Sequence, residues 1–162
     1  MNDTERSLLV QSVVDRVVSN LKEAPESITL EQSLSLCEKV KEKAKEMGVK
    51  AVVAVSDAGA NPICVQCMDD AYIASYDIAV NKSYTAVSLK MPTSALKTLA
   101  APGGSLYGIQ FTNQGKIVIF GGGVPLYGKN GNIIGGFGVS GGTEEQDTAL
   151  GDFGGEIFKK IL

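Results

Sequence analysis

The sequence predicts an α+β fold, a single antiparallel sheet flanked by helices, on three observations. Short apolar runs occur in pairs separated by turn-forming residues: 51–56 with 62–68 across Asp57-Ala58-Gly59-Ala60-Asn61, and 117–120 with 133–139 across a stretch containing Asn130-Gly131. Segments of helical periodicity lie before, between and after these pairs. With 162 residues, 44% of them hydrophobic, the chain is long enough for one well-buried core rather than two.

Residues 4–22 predict an amphipathic helix, because Leu9, Val10, Val13, Val14, Val17, Val18 and Leu21 fall in one arc opposite Gln11, Ser12, Asp15, Arg16 and Ser19. A short linker holding Pro25 follows, so the expected division is 1–27, an appended helix and linker, and 28–162, a complete domain. Thr29 and Gln32 form a capping box for a second helix, whose apolar face is Leu30, Leu34, Cys37, Val40, Ala44 and Met47 and whose C-cap is Gly48. After the first strand pair, a third helix over 72–89 is expected to bury Ile73, Tyr76, Val80, Tyr84 and Val87, and Met91-Pro92-Thr93 breaks it. A short helical piece over 94–99 leads to a glycine-rich loop, Pro102-Gly103-Gly104-Ser105-Leu106-Tyr107-Gly108. The last strands are expected at 117–120 and 133–139. Thr143 and Gln146 form a second capping box, and a final helix runs from there to Leu162.

Two glycine motifs invite a nucleotide-binding reading, and their context argues against it. Gly123-Val-Pro-Leu-Tyr-Gly128-Lys129 lacks the Ser or Thr that follows the lysine of a P-loop, and Asn130-Gly131 turns the chain into a strand instead of a helix. Gly136-Phe-Gly138-Val-Ser-Gly141 falls inside a strand, and its alternate glycines suit close approach by another backbone or a flat ligand. Gly141-Gly142-Thr143 reads as a helix cap, since Glu144, Glu145 and Asp147 already place negative charge in the first turn.

Composition removes further classes. The chain has no histidine, which excludes Ser-His-Asp and Cys-His catalysis and histidine-ligated zinc or haem. Cys64 and Cys67 point to opposite faces of one strand, so with Cys37 they read as buried structural thiols and no metal site is expected. A net charge of −3 without a basic cluster argues against nucleic acid. No apolar run reaches membrane-spanning length, and Asn2, Asp3 and Glu5 stand where a signal peptide would be basic, so no membrane partner and a cytoplasmic location are expected.

The ordered motifs Asp57-Ala-Gly59, Asp77-Ile-Ala79-Val-Asn-Lys82-Ser-Tyr84-Thr85-Ala86, Pro102-Gly103-Gly104-Ser-Leu-Tyr107-Gly108, Gly122-Gly123-Val-Pro125-Leu126 and Gly138-Val-Ser140-Gly141-Gly142-Thr143-Glu-Glu-Gln146-Asp147 resemble the GlcG/HbpS family, which includes the C-terminal domain of PduO-type proteins. The resemblance covers residue 29 to the C-terminus. It implies a profilin-like fold, a ring-like homo-oligomer with an octamer favoured, and haem or another tetrapyrrole as ligand of some members. It does not imply corrinoid adenosyltransferase activity, which belongs to the other, N-terminal domain of PduO-type proteins. Histidine serves as axial ligand in haem-binding PduO-like relatives. Haem here would bind weakly, with Met91, Thr93, Tyr84 or a cysteine as the iron ligand, or with none from the chain.

On the third helix Asp77, Asn81, Tyr84 and Ser88 form one line and Ile78, Lys82, Thr85 and Leu89 the next. One reading is a pocket where Lys82 offers charge to a ligand carboxylate and Tyr107 covers a flat ring, with Tyr84, Thr85, Gly103, Gly104 and Asp57 around it. The other is a solvated face, Lys82 snorkelling past apolar neighbours and Asp57 forming a turn. The helix over 4–22 resembles the encapsulation peptides of bacterial microcompartments, and docks there on a shell or on its own oligomer. The expected function is a small-ligand-binding accessory protein, more non-catalytic than catalytic. An enzyme of small-molecule metabolism and a ligand-free structural component of a microcompartment are the alternatives.

Overall fold

The computed structural model describes residues 3–22 and 27–162. Most of the linker expected over 23–27 lies outside the described residues, as do Met1, Asn2 and the side chains of Val18 and Leu21. The elements are α1 (Asp3–Lys22), α2 (Leu30–Glu46), β1 (Val52–Asp57), β2 (Pro62–Cys67), α3 (Ser75–Leu89), α4 (Thr93–Ala100), two single-turn helices (Ile109–Phe111 and Asn113–Gly115), β3 (Gly123–Tyr127), β4 (Ile133–Ser140) and α5 (Glu144–Phe158). The four strands form one antiparallel sheet in the order β2-β1-β4-β3.

Local signals act as expected at the ends of elements. Both capping boxes form, at Thr29 with Gln32 and at Thr143 with Gln146. The α2 cap residue is Met47, and Gly48 follows it in the left-handed region at φ 68°. Asp57 closes the β1–β2 turn through its side chain: Oδ1 accepts from the amides of Gly59 and Asn61, each at 2.8 Å.

β1 and β4 are the central strands and are covered on both faces. Val53 and Val55 point to one face, where Leu36, Val40 and Ala44 of α2 and Leu150 and Phe158 of α5 make the main core with Phe137 and Val139. Val52 and Ala54 point to the other face, against Ala79 of α3.

Helix α3 departs from the expected burial. Ile73 is 96% exposed, Tyr76 is exposed, Val80 and Tyr84 are half-buried, and only Val87 of the expected set is buried. The buried face is instead Ser75, Ala79, Lys82, Ser83, Thr85, Ala86 and Val87. The reason lies on β4. A Cβ on Gly138 would run into the Ala79 carbonyl and the Ser83 amide, and one on Gly136 into the Ser83 carbonyl. Helix backbone rests on strand backbone, which only small side chains at the contact permit.

The expected strand at 117–120 is not one, and β3 lies at 123–127. Ile117 packs with Leu96 and Ala100, while the Val118 amide is held by Thr85 Oγ1 at 3.0 Å, so this segment serves α3 and α4 instead of the sheet. Pro125 is tolerated in β3 because β3 is an edge strand. Helix α5 ends at Phe158 and the remaining residues form turns. Cys37 and Cys64 are buried with their Sγ atoms 3.6 Å apart, whereas Cys67 is exposed on the opposite face of β2 and is not part of the core.

Among the described side chains of α1, Leu9, Val10, Val13, Val14 and Val17 of the apolar arc, and Leu8 beside it, are each 45–67% exposed.

Candidate ligand-binding site

Close packing of α3 on the sheet carries Lys82 inward, where it is the largest fully buried side chain. Its Nζ donates to the Val139 carbonyl of β4 and to Asp147 Oδ2 of α5, each at 2.8 Å, and lies 5.0 Å from the centre of the Phe120 ring. An ammonium away from water requires such partners. Burial pushes the Lys82 ammonium below its ordinary value, and the Asp147 and Glu144 charges oppose that shift. Asp147 Oδ1 accepts from the Gly142 amide at 2.9 Å, so this carboxylate ties α3, β4 and the start of α5 together.

A cleft of about 420 Å³ opens over this pair, a size within the ordinary range for small-molecule sites. Tyr72, Ile78 and Phe120 supply its apolar walls, and Ser75, Ser140, Glu144 and Asp147 its polar groups. Ser75 and Ser140 share a hydrogen bond of 3.2 Å and are 4% and 5% exposed. Glu144 is held from outside by Lys97 at 2.6 Å, a contact that keeps its carboxyl below the usual carboxylate range. A larger hollow of about 560 Å³ near the end of α2 has a surface polar lining, with Lys41 and Lys50 already paired to Glu38 and Asp70.

The residues expected to form a pocket are dispersed. Lys82 lies behind Asp147 and Phe120 of the lining, and its ammonium is bound to Asp147 and Val139 and is neither offered to a ligand carboxylate nor solvated. Thr85 is buried and organises the segment before β3: Oγ1 donates to the Asn81 carbonyl at 2.7 Å, lies 3.2 Å from the Lys116 carbonyl, and accepts from the Val118 amide. Tyr84 accepts from Asn113 Nδ2 at 3.1 Å and packs with Met91 in the satellite core around Leu96. Thr93 Oγ1 accepts from the Gly123 amide at 2.9 Å. Gly103 and Gly104 shape the loop after α4, where a Cβ on Gly104 would meet the Leu99 carbonyl. Tyr107 is 64% exposed and does not line the cleft, and Asp57 is at the β1–β2 turn. The expectation missed Asp147, Ser75, Ser140, Tyr72 and Phe120. Asp147 and Ser140 were visible in the Ser140-Gly-Gly-Thr-x-x-x-Asp147 stretch, but as a cap rather than as the partner of Lys82 and the floor of a cleft.

Residues 28–154 match the family described as haem degrading protein HbpS-like. The chain belongs to the HbpS-like family. An uncharacterised 15.0 kDa protein of the dhaT–dhaS intergenic region in Citrobacter freundii is 45% identical over 135 residues, which are 83% of this chain and 94% of that relative. The crystal structure of Klebsiella pneumoniae protein ORFY has a TM-score of 0.81 at 42% identity, covering 85% of this chain and 94% of that one. A PduOC crystal structure, a complex with haem, has a TM-score of 0.76 at 35% identity, covering 80% of this chain and 94% of that one.

In this HbpS-like chain the candidate iron ligands do not meet at the cleft. Met91, Thr93, Tyr84 and the three cysteines are all absent from its lining. Met91 and Tyr84 pack in the satellite core, Thr93 is bonded to Gly123, and Cys37 and Cys64 lie in the main core. Among the described residues no group of three or more Cys, Asp or Glu side chains is placed to hold a metal ion, and no helix is long and apolar enough to cross a membrane.

Proposed function

We propose that this HbpS-like chain is a small-ligand-binding accessory protein that takes a flat ring, of tetrapyrrole class or smaller, in the cleft between Tyr72 and Phe120. The observation that carries the reading is the meeting of apolar walls with buried polar groups, Ser75, Ser140 and Asp147, the combination that ligand sites share. The haem found in the PduOC relative supports a tetrapyrrole. With no axial ligand from the expected set at the cleft, a haem would be held through its ring and edges, and its iron would stay high-spin. Titration of haemin followed by its Soret band tests this. Weak binding with a high-spin spectrum is expected, weakened several-fold by Phe120→Ala or Tyr72→Ala. Binding that neither substitution changes rules the cleft out.

A second reading concerns α1. Six large apolar side chains exposed along one helix favour docking on protein, and likeness to PduO supports a microcompartment shell as the surface, with the ring-like homo-oligomer expected of the family as the alternative. Residues 1–27 are then separable from a ligand-binding domain over 28–162. Removing 1–27 should leave a folded oligomer that no longer joins a shell, and fusing those residues to a fluorescent protein should recruit it. A truncated chain that falls apart into monomers, beside a fusion that stays diffuse, assigns the helix to the oligomer.

A further inference from the structure

The polar groups of the cleft select for more than shape. Ser75 Oγ and Ser140 Oγ, both more than nine-tenths buried, share one hydrogen bond. Each hydroxyl has one hydrogen to give, so the pair holds two and uses one. The second hydrogen has no acceptor among the described residues, and both hydroxyls line the cleft. A buried donor without a partner carries a desolvation cost that an incoming acceptor removes.

Carboxylates complete the polar lining. Asp147 and Glu144 line the same cleft, and an ionised carboxylate only accepts. Asp147 takes one hydrogen from Gly142 and one from Lys82, a single donor on each oxygen, which leaves a lone pair on each. Among the described residues no cationic side chain lines the cleft: Lys82 is fully buried behind Asp147 and Phe120, and Lys97 approaches Glu144 from a neighbouring hollow.

From these groups we infer that the polar end of the cleft selects an uncharged ring edge carrying a carbonyl-type acceptor for the Ser75–Ser140 hydroxyls beside an N–H or O–H donor for the Asp147 and Glu144 carboxylates, as in a carboxamide or lactam, and that it rejects a carboxylate at that edge, so a ligand that bears carboxylates elsewhere, as haem does, turns them to the open mouth of the cleft. The ring lies between Tyr72 and Phe120, and the Lys82 ammonium on Phe120 makes that face a better partner for an electron-rich ring. A ligand carboxylate has no donor to offer and adds negative charge beside two carboxylates, so repulsion and lost hydrogen bonds act together. This rests on the cleft being the ligand site proposed above and names the chemistry that the site accepts.

Three fragments of the same shape separate the possibilities on the full-length protein: benzamide, which is neutral with donor and acceptor; benzoate, which is anionic with acceptors only; and benzamidinium, which is cationic with donors only. Fragments of this size bind on the order of millimolar, within reach of saturation-transfer NMR. Benzamide is expected to bind about tenfold more tightly than benzoate. The paired substitution Ser75→Ala with Ser140→Ala should weaken benzamide about three- to tenfold and leave benzamidinium unchanged. The fragment comparison on the unaltered protein stands whether or not that variant folds. Benzoate binding as tightly as benzamide overturns the inference, as does equal loss of benzamide and benzamidinium in the serine variant. If all three fragments fail to bind while haemin binding still depends on Phe120 and Tyr72, the polar preference is wrong and the cleft remains the site. If haemin binding is indifferent to Phe120 and Tyr72, the cleft itself is wrong.

Discussion

Lys82→Met removes an ammonium from the interior while keeping an unbranched side chain of similar length, so the change isolates the charge. Two hydrogen bonds of 2.8 Å disappear, and Asp147, 4% exposed, retains only the Gly142 amide and Lys82's absence leaves its charge without a cation. Breaking a buried pair on one side costs about 3–5 kcal/mol. With a urea dependence of about 2 kcal/mol per molar for a domain of this size, the unfolding midpoint should fall by about 1.5–2.5 M. Adding Asp147→Leu should recover part of the loss, because the uncompensated carboxylate goes too and what is left unmade is the Gly142 amide contact and the lysine's contact to the Val139 carbonyl, about 1 kcal/mol each. The pH dependence gives an independent reading. Desolvation lowers the folded Lys82 value below its ordinary 10.5, so between the two values the unfolded chain binds more protons and stability rises with pH. The penalty of charging Lys82 is therefore present in full below the folded value and is relieved towards pH 10.5, and the gap between wild type and Lys82→Met should widen through that window. Urea melts from neutral to alkaline pH measure both effects. A neutral-pH loss under 1 kcal/mol, or a double variant weaker than either single one, would refute this account of the pair.

Three further outcomes are expected. Gly138→Ala sets a methyl group against the backbone of Ala79 and Ser83, neither able to move without displacing α3, and should cost more than about 3 kcal/mol or prevent soluble expression; a near-neutral melting shift would show that α3 does not rest on β4. Under native conditions iodoacetamide should alkylate one cysteine, the exposed Cys67, while burial raises the Cys37 thiol far above its ordinary value and shields it with Cys64; peptide mapping that finds Cys37 modified at a similar rate contradicts this. Thr143→Ala removes the Gln146 amide contact at the start of α5 and should lower stability by about 1 kcal/mol by thermal or chemical denaturation, whereas no change would mean that the cap is idle.

What could be read from the sequence was what neighbouring residues settle among themselves. Thr29 with Gln32, Thr143 with Gln146, and the Asp57 turn are contacts across four residues or fewer, and each formed as its local pattern required. In helix α3 the apolar arc and the buried arc differ. Its burial is decided by glycines on β4 more than 50 positions away, which bring Ala79 and Ser83 against the strand and leave Ile73 exposed. The strand expected at 117–120 failed for a related reason: isoleucine and valine suit a strand, but Thr85, 33 positions from Val118, captures its backbone. The same gap divides the site. Asp147 looked like a charge for the helix dipole, and its partner Lys82 is 65 residues away, a pairing that no local pattern contains.

The glycines that imitate a nucleotide-binding motif have their explanation in this geometry. Gly138 lets α3 settle onto β4, and a Cβ there would also press on Lys82 Cβ at 3.0 Å. Gly122, at φ 111°, leaves open the space where Lys82 Nζ sits: a Cβ at that position would be 2.8 Å from it. Both glycines thus form one socket, the first fixing how deep the lysine enters and the second making room for its ammonium between Val139 and Asp147. Anchored there, Asp147 holds the Gly142 amide and the first turn of α5 against β4, beside Ser140 and its bond to Ser75. The cleft floor is consequently a product of backbone packing, and its polar groups are preorganised by an ion pair whose lysine lies behind the lining, out of a ligand's reach. A substitution in the glycine-rich strand should therefore disturb ligand selectivity without contacting the ligand, through the position of Lys82.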